Sequence, residues 1–216
     1  MSTPVLRIAA LPPDERGEAQ VIADALIGLD NFAKNFWAAL SLFTYASSEY
    51  RKADLLPEDG REWVMSLYFS WLFVAGRDGA MTVFHLVKSI EVIQDRLHCC
   101  PTLAAEIDLL ALRKVRKTFQ RSFKDWEGVR HTVGHSADLK NTAARRAVHS
   151  VKTGIPGIIE LRDGASLILN GCFVGDEFMS TFEGRQVSYA LTAESHRVIC
   201  KMVDDVYAIF QSVCDD

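Results

Sequence analysis

The sequence lacks most features that would assign it to a specialised class of protein. Its 216 residues carry 24 Lys and Arg against 28 Asp and Glu, so neither sign of charge dominates and the formal net charge is −4. Hydrophobic residues make up 49% and charged residues 24% of the chain. These ordinary globular proportions exclude disordered, collagen-like and coiled-coil classes. A chain of this length buries about 70% of its unfolded surface, enough for a core without disulfides or metals.

Cysteine is sparse and shows no pairing pattern. There are five cysteines, of which Cys99 and Cys100 are adjacent, and none has Cys-x-x-Cys spacing. This pattern argues for reduced thiols and against a disulfide framework. The first ten residues show no secretory signal, and the longest mostly apolar stretch, residues 63–76, is too short to span a bilayer. We expect a cytoplasmic protein without a membrane segment, and we interpret residues 63–76 as a buried helix.

Motifs for several common chemistries are also missing. The sequence has no Walker loop, no Gly-x-Gly-x-x-Gly and no recognisable nucleophile elbow. His131 and His135 have the spacing of a metal-ligand pair, but the Glu of a His-Glu-x-x-His motif is absent and His98 lies in another segment. We therefore expect no cofactor and no metal, with a zinc site as the alternative.

Hydrophobic periodicity predicts a helical bundle in the first two thirds of the chain. Pro57-Glu58-Asp59-Gly60 marks a turn between two long helices, and Thr102 is the predicted N-cap of the third. The first half of the second helix is apolar on nearly all sides, which predicts that it lies inside the bundle. The predicted helices cover residues 18–54, 61–97, 102–121 and 125–136.

Glycine-punctuated runs of β-forming residues follow residue 152 and predict an antiparallel meander. Asp163-Gly164 and Glu183-Gly184 are the predicted tight turns, and Thr192 caps a last helix that runs to about Val213. The predicted strands cover residues 158–161, 166–170, 177–183 and 186–191.

The fold class is therefore α+β, mainly a helical bundle with a C-terminal meander and a final helix. Residues 1–17 are predicted to form an N-terminal arm, in which Val5–Leu11 pairs as a short strand. The bundle occupies residues 18–152, and residues 153–216 form the meander and final helix packed on it.

The most informative segment runs from Trp126 to His135. On a helix, His131 and His135 share a face, while Arg130 lies about 100° from His131 around the axis. An Arg can hold a phosphate through two hydrogen bonds, and a His can move a 2′-hydroxyl or leaving-group proton near neutral pH. This set suits cleavage of an RNA phosphodiester. The alternative is a helix end where the imidazoles cap carbonyl groups and the Arg forms a surface ion pair.

The segment resembles the signature of the HEPN superfamily (higher eukaryotes and prokaryotes nucleotide-binding domains). That signature is an Arg, about four to six residues and then a His, with a polar residue often directly after the Arg. Arg130, His131 and His135 occupy these positions, and the predicted helices follow the family's order over residues 18–150. The meander after His135 has no counterpart in the family's core fold.

The resemblance implies binding of RNA or a nucleotide and a homodimer in which two motifs form one site. In active members it implies metal-independent ribonuclease activity. Arg130 would then hold the scissile phosphate, His135 would transfer a proton, and His131 would assist by polarising or positioning. Other members of the superfamily only bind nucleotides, or act as toxin halves, antiphage effectors or scaffolds.

Positive charge is concentrated around this segment. Residues 113–152 carry eleven Lys and Arg against three acids, a local net charge of +8. A basic stripe beside a phosphate site is the electrostatic footprint of a nucleic-acid-binding protein. The alternative is a solvated helix face whose partners are acids elsewhere. The predicted substrate-binding residues on this stripe are Arg113, Lys117, Arg121 and Lys124.

A polar stripe interrupts the second long helix at Asp78, Thr82, His85 and Ser89. Buried charge is costly unless it is paired, so the stripe faces either water or polar groups of another helix. One hypothesis is that Asp78 or His85 orients His131 or His135. The other is a solvent-facing seam with Arg77 and Asp78 in local ion pairs.

Two functions of different kinds follow from these patterns. The first is an HEPN-like protein that binds RNA or a nucleotide and acts as a ribonuclease through Arg130 and His135. The second is a non-enzymatic interaction module that presents its surfaces to a protein partner. The second predicts that alanine at His131 or His135 costs stability, or nothing, without changing a catalytic readout.

Overall fold

The computed structural model describes residues 3–135 and 138–214, and it confirms the α+β fold expected from the sequence. The sheet is antiparallel, with β1 (Asn170–Val174), β2 (Glu177–Phe182) and β3 (Arg185–Ala190) in sequential order. The helices are α1 (Arg16–Ala53), α2 (Glu58–Leu97), α3 (Pro101–Ala105), α4 (Leu109–Ser122), α5 (Trp126–Gly134), α6 (Ala143–His149) and α7 (Ala193–Phe210).

The described residues group into two compact units, and each long helix contributes to both. The first unit contains residues 3–37, 82–124 and 193–214, and the second contains residues 38–81, 125–135 and 138–192. The sequence-based division at residues 17 and 152 stays a prediction.

The first unit is a helical assembly in which α4 packs on α7. The Tyr207 hydroxyl on α7 is buried and donates to the Leu26 carbonyl at 2.9 Å, which ties α7 to α1. The N-terminal arm does not form the predicted strand over Val5–Leu11. It instead makes one isolated bridge, between Leu6 and Cys214, followed by a 3-10 helix at Ile8–Ala10.

The prediction of one helix over residues 102–121 is wrong, because two helices occupy this segment. Asp108 caps α4, since its carboxylate accepts hydrogen bonds from two backbone N–H groups of the first turn at 3.0 and 2.9 Å. Thr102 lies inside α3 and is not an N-cap. Its hydroxyl donates to the buried Glu15 carboxylate at 2.7 Å.

The second unit is organised by the sheet, on which α5 packs. A Cβ atom at Gly128 would lie 2.9 Å from Val187 Cγ1, so glycine allows α5 to approach β3 closely. On α2, a Cβ atom at Gly76 would overlap the Phe178 ring of β2. The backbone carbonyl of Gly76 also accepts a 2.6 Å hydrogen bond from the buried Tyr189 hydroxyl. These contacts fix the motif helix and the sheet in one unit.

Two predicted strands, at residues 177–183 and 186–191, correspond to β2 and β3. Glu183 and Gly184 join them with φ angles of 48° and 72°, the two left-handed residues of a tight hairpin turn. The prediction is wrong for residues 158–161 and 166–169, which contribute only to isolated bridges, Ile155 to Ile159 and Val151 to Leu167, whereas Asn170 is the first residue of β1. The sequence analysis also missed β1 and α6.

The interpretation of residues 63–76 as a buried helix is wrong for most of the segment. The helix forms, but no residue from 61 to 74 is buried, and Trp63 is 70% exposed. Burial begins at Ala75 and Gly76, where α2 meets the sheet. Within the described residues, no helix is both long enough and apolar enough to cross a bilayer.

Candidate functional site

The motif helix α5 buries one side and leaves its Arg and His residues accessible. Gly128, Val129, Thr132 and Val133 are buried, whereas Arg130 and His131 are half-buried. The helix ends at Gly134, before the predicted end at residue 136. His135 becomes the C-cap residue, and its backbone N–H donates to the His131 carbonyl at 3.0 Å. Residue 136 lies outside the described residues.

Arg130 and His131 contact each other directly. Arg130 Nη1 lies 3.4 Å from His131 Nδ1, at the long end of hydrogen-bond distances. A guanidinium group can only donate, so Nδ1 must accept.

An aromatic stack holds His131 against the sheet. The Phe182 ring at the end of β2 stacks with His131 at a centroid distance of 5.3 Å and an interplanar angle of 4°. It also stacks with His149 of α6 at 5.2 Å and 25°. His149 is buried, and its Nδ1 accepts a 3.1 Å hydrogen bond from the Glu183 N–H. Three separate elements therefore fix the orientation of the His131 ring.

His135 is the accessible imidazole of the site. Its side chain is 46% exposed, and its ring centre lies 6.0 Å from that of His131. Its Nδ1 lies 3.8 Å from Asp138 Oδ2, within ion-pair distance when the imidazole is protonated. The Asp138 carbonyl accepts a 2.8 Å hydrogen bond from Arg145, which anchors the loop after the motif. His135 can therefore exchange a proton with a bound molecule while Asp138 balances its charge.

The structure does not bring Asp78 to the motif. Asp78 is exposed, and no hydrogen bond or ion pair joins it to His131 or His135 among the described residues. Partial burial raises the pKa of its carboxyl group. Burial also raises the pKa of Tyr189 well above its ordinary value, and the Asp78 charge adds to that shift. The alternative expectation is that Arg77 and Asp78 form local ion pairs; within the described residues, neither side chain has an ion-pair partner, although both are exposed.

His85 belongs to the first unit, where its exposed ring stacks with Phe32 at 5.7 Å and meets Phe84 edge-on at 5.2 Å. Thr82, one turn earlier in the predicted polar stripe, is buried. The stripe is therefore not a continuous solvent-facing seam.

The predicted basic stripe exists on α4, in the first unit. All four residues are exposed. Arg113, Lys117 and Arg121 lie on the side of α4 away from the buried Leu112, Val115 and Phe119, whereas Lys124 follows the end of that helix by two residues. None of the four forms an ion pair within the described part of the chain. The cation on the same helix that does pair is Arg116, which lies 2.9 Å from Glu91. The exposed residues are Arg113, Lys117, Arg121 and Lys124.

Arg113 and Lys117 also line a cleft of about 500 Å³ between α4 and α2, together with Gln94, Asp95 and His98. The cleft has the size of a small-molecule site, but its polar lining carries both signs of charge. The basic stripe of the first unit therefore borders a concave surface at Arg113 and Lys117.

Three neighbours of the motif were missed in the sequence. Phe182 was predicted to lie in a strand, but which side it faces depends on the register of the sheet. His149 lies on α6, a helix of seven residues too short to show periodicity. Asp138 follows the motif by three residues and is the one neighbour that sequence spacing alone could have indicated.

The remaining nucleophiles and metal ligands add no further chemistry to this site. All five cysteines are free, and burial raises the pKa of Cys100, Cys172 and Cys200, so these thiols stay protonated near neutral pH. Over residues 3–135 and 138–214, no three His, Cys, Asp or Glu side chains converge as a metal-binding cluster.

Comparison with profiles of known families, with curated proteins and with solved structures finds no match for this chain. Function is therefore inferred from the residues of the site themselves.

Proposed function

We propose that the chain binds RNA or a nucleotide at Arg130, His131 and His135, and that it cleaves RNA without a metal ion. The contact between Arg130 and His131 beside an accessible His135 is the observation that carries this proposal. A phosphate-binding cation and a proton-transferring imidazole are the minimum set for phosphodiester cleavage.

Each of the three side chains has a separate role in this proposal. Arg130 donates to a non-bridging oxygen of the phosphate. His131 contacts the guanidinium through Nδ1, helps to position it, and is itself held by Phe182. His135 is the exposed imidazole with a carboxylate nearby, so it is the proton-transfer group.

In the cleavage step, the 2′-oxygen loses its proton and forms a bond to phosphorus. The bond between phosphorus and the 5′-oxygen breaks, and that oxygen gains a proton. The products are a 2′,3′-cyclic phosphate and a free 5′-hydroxyl. His135 either removes the first proton or supplies the second, and Arg130 stabilises the charge that develops on the phosphate.

The unpaired cations on α4 support a nucleic-acid ligand. Exposed Lys and Arg residues without intramolecular partners can contact phosphates and release counterions, which makes binding depend on salt concentration. Replacing one phosphate-contacting cation should lower the slope of the salt dependence by about one unit.

Binding is tested with labelled single-stranded RNA and fluorescence anisotropy in the presence of EDTA. Arg130→Ala should weaken binding about 10- to 100-fold, the value of a charge-assisted hydrogen bond. The matched control is Arg197→Ala, which removes an exposed arginine paired with Glu194 on α7. A mononucleotide competitor distinguishes the two ligands, because it displaces RNA at low concentration when the site is a nucleotide site.

Cleavage is tested with an RNA and with the same RNA carrying a 2′-deoxy residue at the cleaved position. The expected results are a cyclic phosphate product from the first and no product from the second. His135→Ala should abolish cleavage while retaining binding. A wild-type protein that neither binds nor cleaves RNA or nucleotides refutes the proposal, as does identical behaviour of Arg130→Ala, His135→Ala and wild type.

The second candidate function is a protein-interaction module. The exposed apolar segment at residues 61–74 favours it, because such a surface is typical of a contact with another protein. Under this function alone, the Arg130 and His135 variants would leave the interaction unchanged.

A further inference from the structure

Residues 38–74 form a helical hairpin with an unusually apolar exposed surface, here called the aromatic hairpin. It consists of the end of α1, the loop around Gly60 and the start of α2, all within the second unit. Ten of the fourteen residues from 61 to 74 are hydrophobic, and none of the fourteen is buried. A helix that is apolar on all sides is normally covered by other parts of a protein or by lipid.

Few side chains of the hairpin are buried. The buried residues of α1 in this region include Leu40, Phe43, Ala46 and Ala53. The rings of α2 pack on one another at the flanks of the hairpin. Tyr68 and Trp71 lie 5.5 Å apart, and each contacts Tyr45 of α1.

A second ring cluster is formed by Tyr50, Phe69 and Phe73. The ring centroids of Tyr50 and Phe69 lie 6.4 Å apart, and those of Phe69 and Phe73 lie 4.9 Å apart. Beside it lies an open cleft of about 610 Å³ that Met65 and Arg61 also line. The hairpin thus offers both projecting rings and a recess, the two shapes that a self-complementary contact needs.

The exposed apolar area is large enough for a stable interface. Tyr45, Trp63 and Phe69 are 51%, 70% and 50% exposed, and each such ring side chain has about 150–250 Å² in total. With Leu55, at 86% exposure, and the other aliphatic residues, the exposed apolar area summed over the flanks and tip of the hairpin is on the order of 800 Å². A monomer's largest apolar patch is usually about 300–600 Å², whereas one partner in a standard interface contributes about 800 Å².

The charges of the hairpin favour a second copy of the chain over a lipid surface. The hairpin has five acids and three bases, a net charge of −2, which opposes contact with anionic lipid. Near its tip, Arg51 precedes the acids Glu58 and Glu62, whereas Lys52 pairs with Glu49 of the same chain at 2.6 Å. Two hairpins related by a twofold axis can set Arg51 opposite the acids of the other copy, since every contact in such an interface occurs twice.

We propose that the aromatic hairpin is the contact surface of a homodimer, in which the hairpins of two copies pack against each other around a twofold axis. The proposal does not rest on binding of RNA or nucleotide. Trp63 and Phe69 are its central anchors, because large exposed rings dominate the binding free energy of protein interfaces once they are covered.

The test measures the mass of the full chain in solution by light scattering and by sedimentation, at tens of micromolar protein. The wild type should have twice the 24.1 kDa mass of one chain. The double variant Trp63→Glu and Phe69→Glu should dissociate at least 100-fold more readily, since two anchors are each worth about 2 kcal/mol or more. Circular dichroism should show unchanged helix content, because both side chains are at least half exposed.

The matched control is Leu110→Glu, which places the same charge at a side chain that is 66% exposed on α4. It should remain a dimer. A monomeric wild type, or a double variant that stays dimeric, overturns the proposal. The proposal is also overturned when the control dissociates to the same extent as the double variant. Binding of a monomeric wild type to phosphatidylcholine vesicles would assign the hairpin to lipid instead. RNA binding is measured separately, so either proposal can fail alone.

Discussion

Replacing Gly76 with alanine is expected to destabilise the protein, although alanine is the better helix former. In an exposed helix, the change from glycine to alanine stabilises by about 0.8–1 kcal/mol. At Gly76, however, the new Cβ atom would lie 2.5 Å from Phe178 Cε2 and 3.0 Å from Phe173 Cε2. Overpacking of a core usually costs about 1–3 kcal/mol, so the steric cost should exceed the gain in helix propensity.

The Phe178 ring is buried and packed closely against several neighbours, although it also lines a cavity of about 250 Å³. It is 1% exposed, and its other side meets Gly171, where a Cβ atom would lie 2.7 Å from Phe178 Cζ. The neighbouring rings of Phe173 and Tyr189 have their centres 5.3 and 5.9 Å away. Moving the ring would disturb these contacts, so the net destabilisation should be up to about 2 kcal/mol, which is the steric cost of about 1–3 kcal/mol less the helix gain of about 0.8–1 kcal/mol.

Urea unfolding measures this change in free energy, and calorimetry should show a fall in Tm of about 2–4 °C per kcal/mol. The control is Gly17→Ala in the first turn of α1, where a Cβ atom would meet nothing within 4 Å. That variant should be as stable as wild type or more so. The steric reasoning is refuted when Gly76→Ala unfolds at the same or a higher urea concentration than wild type.

Three further predictions concern single contacts. Tyr189→Phe removes the buried hydrogen bond to the Gly76 carbonyl and should lower the unfolding free energy by about 1 kcal/mol in urea titrations. Asp108→Ala removes the cap of α4 and should cost about 0.5–2 kcal/mol, whereas Asp108→Asn should retain most of the stability; equal loss in both would contradict the capping role. Burial lowers the pKa of His196 from 6.5, so the unfolded chain binds the proton more tightly. The unfolding free energy should therefore fall as pH drops through about 6.5 and level off below the folded-state pKa, and His196→Gln should flatten this part of a pH titration.

Local chemistry made several elements predictable from sequence. The turn between β2 and β3 follows from Glu183-Gly184, because glycine accepts a positive φ angle at little cost. The bend before the main part of α2 follows from Pro57 to Gly60, and Gly60 has a φ angle of +92°. The early end of α5 is consistent with Gly134, whose low helix propensity was visible in the sequence.

Features that depend on tertiary packing could not be predicted in the same way. The apolar start of α2 has the composition of a buried helix, but sequence periodicity does not reveal whether another part of the same chain covers it. Asp108 caps α4, whereas the Thr102 hydroxyl inside α3 donates to Glu15, a residue distant in the sequence. In both cases the deciding contacts lie far apart in the chain.

The candidate site also combines residues that local sequence could predict with contacts that depend on tertiary packing. Spacing alone identified Arg130, His131 and His135 as a set and placed them at a helix end. The stacking of Phe182 on His131 requires α5 and β2 to meet with one particular register of the sheet, which no local pattern specifies.

The stack of His131, Phe182 and His149 limits how the motif could be transplanted to another protein. A nine-residue helix such as α5 is marginal in water by itself, and it carries only one of the three stacked rings. A slip of one residue in β2 would also turn Phe182 to the opposite face of the sheet. A functional graft would therefore need the hairpin of β2 and β3 together with α6, so the smallest portable unit is a supersecondary structure and not a helix.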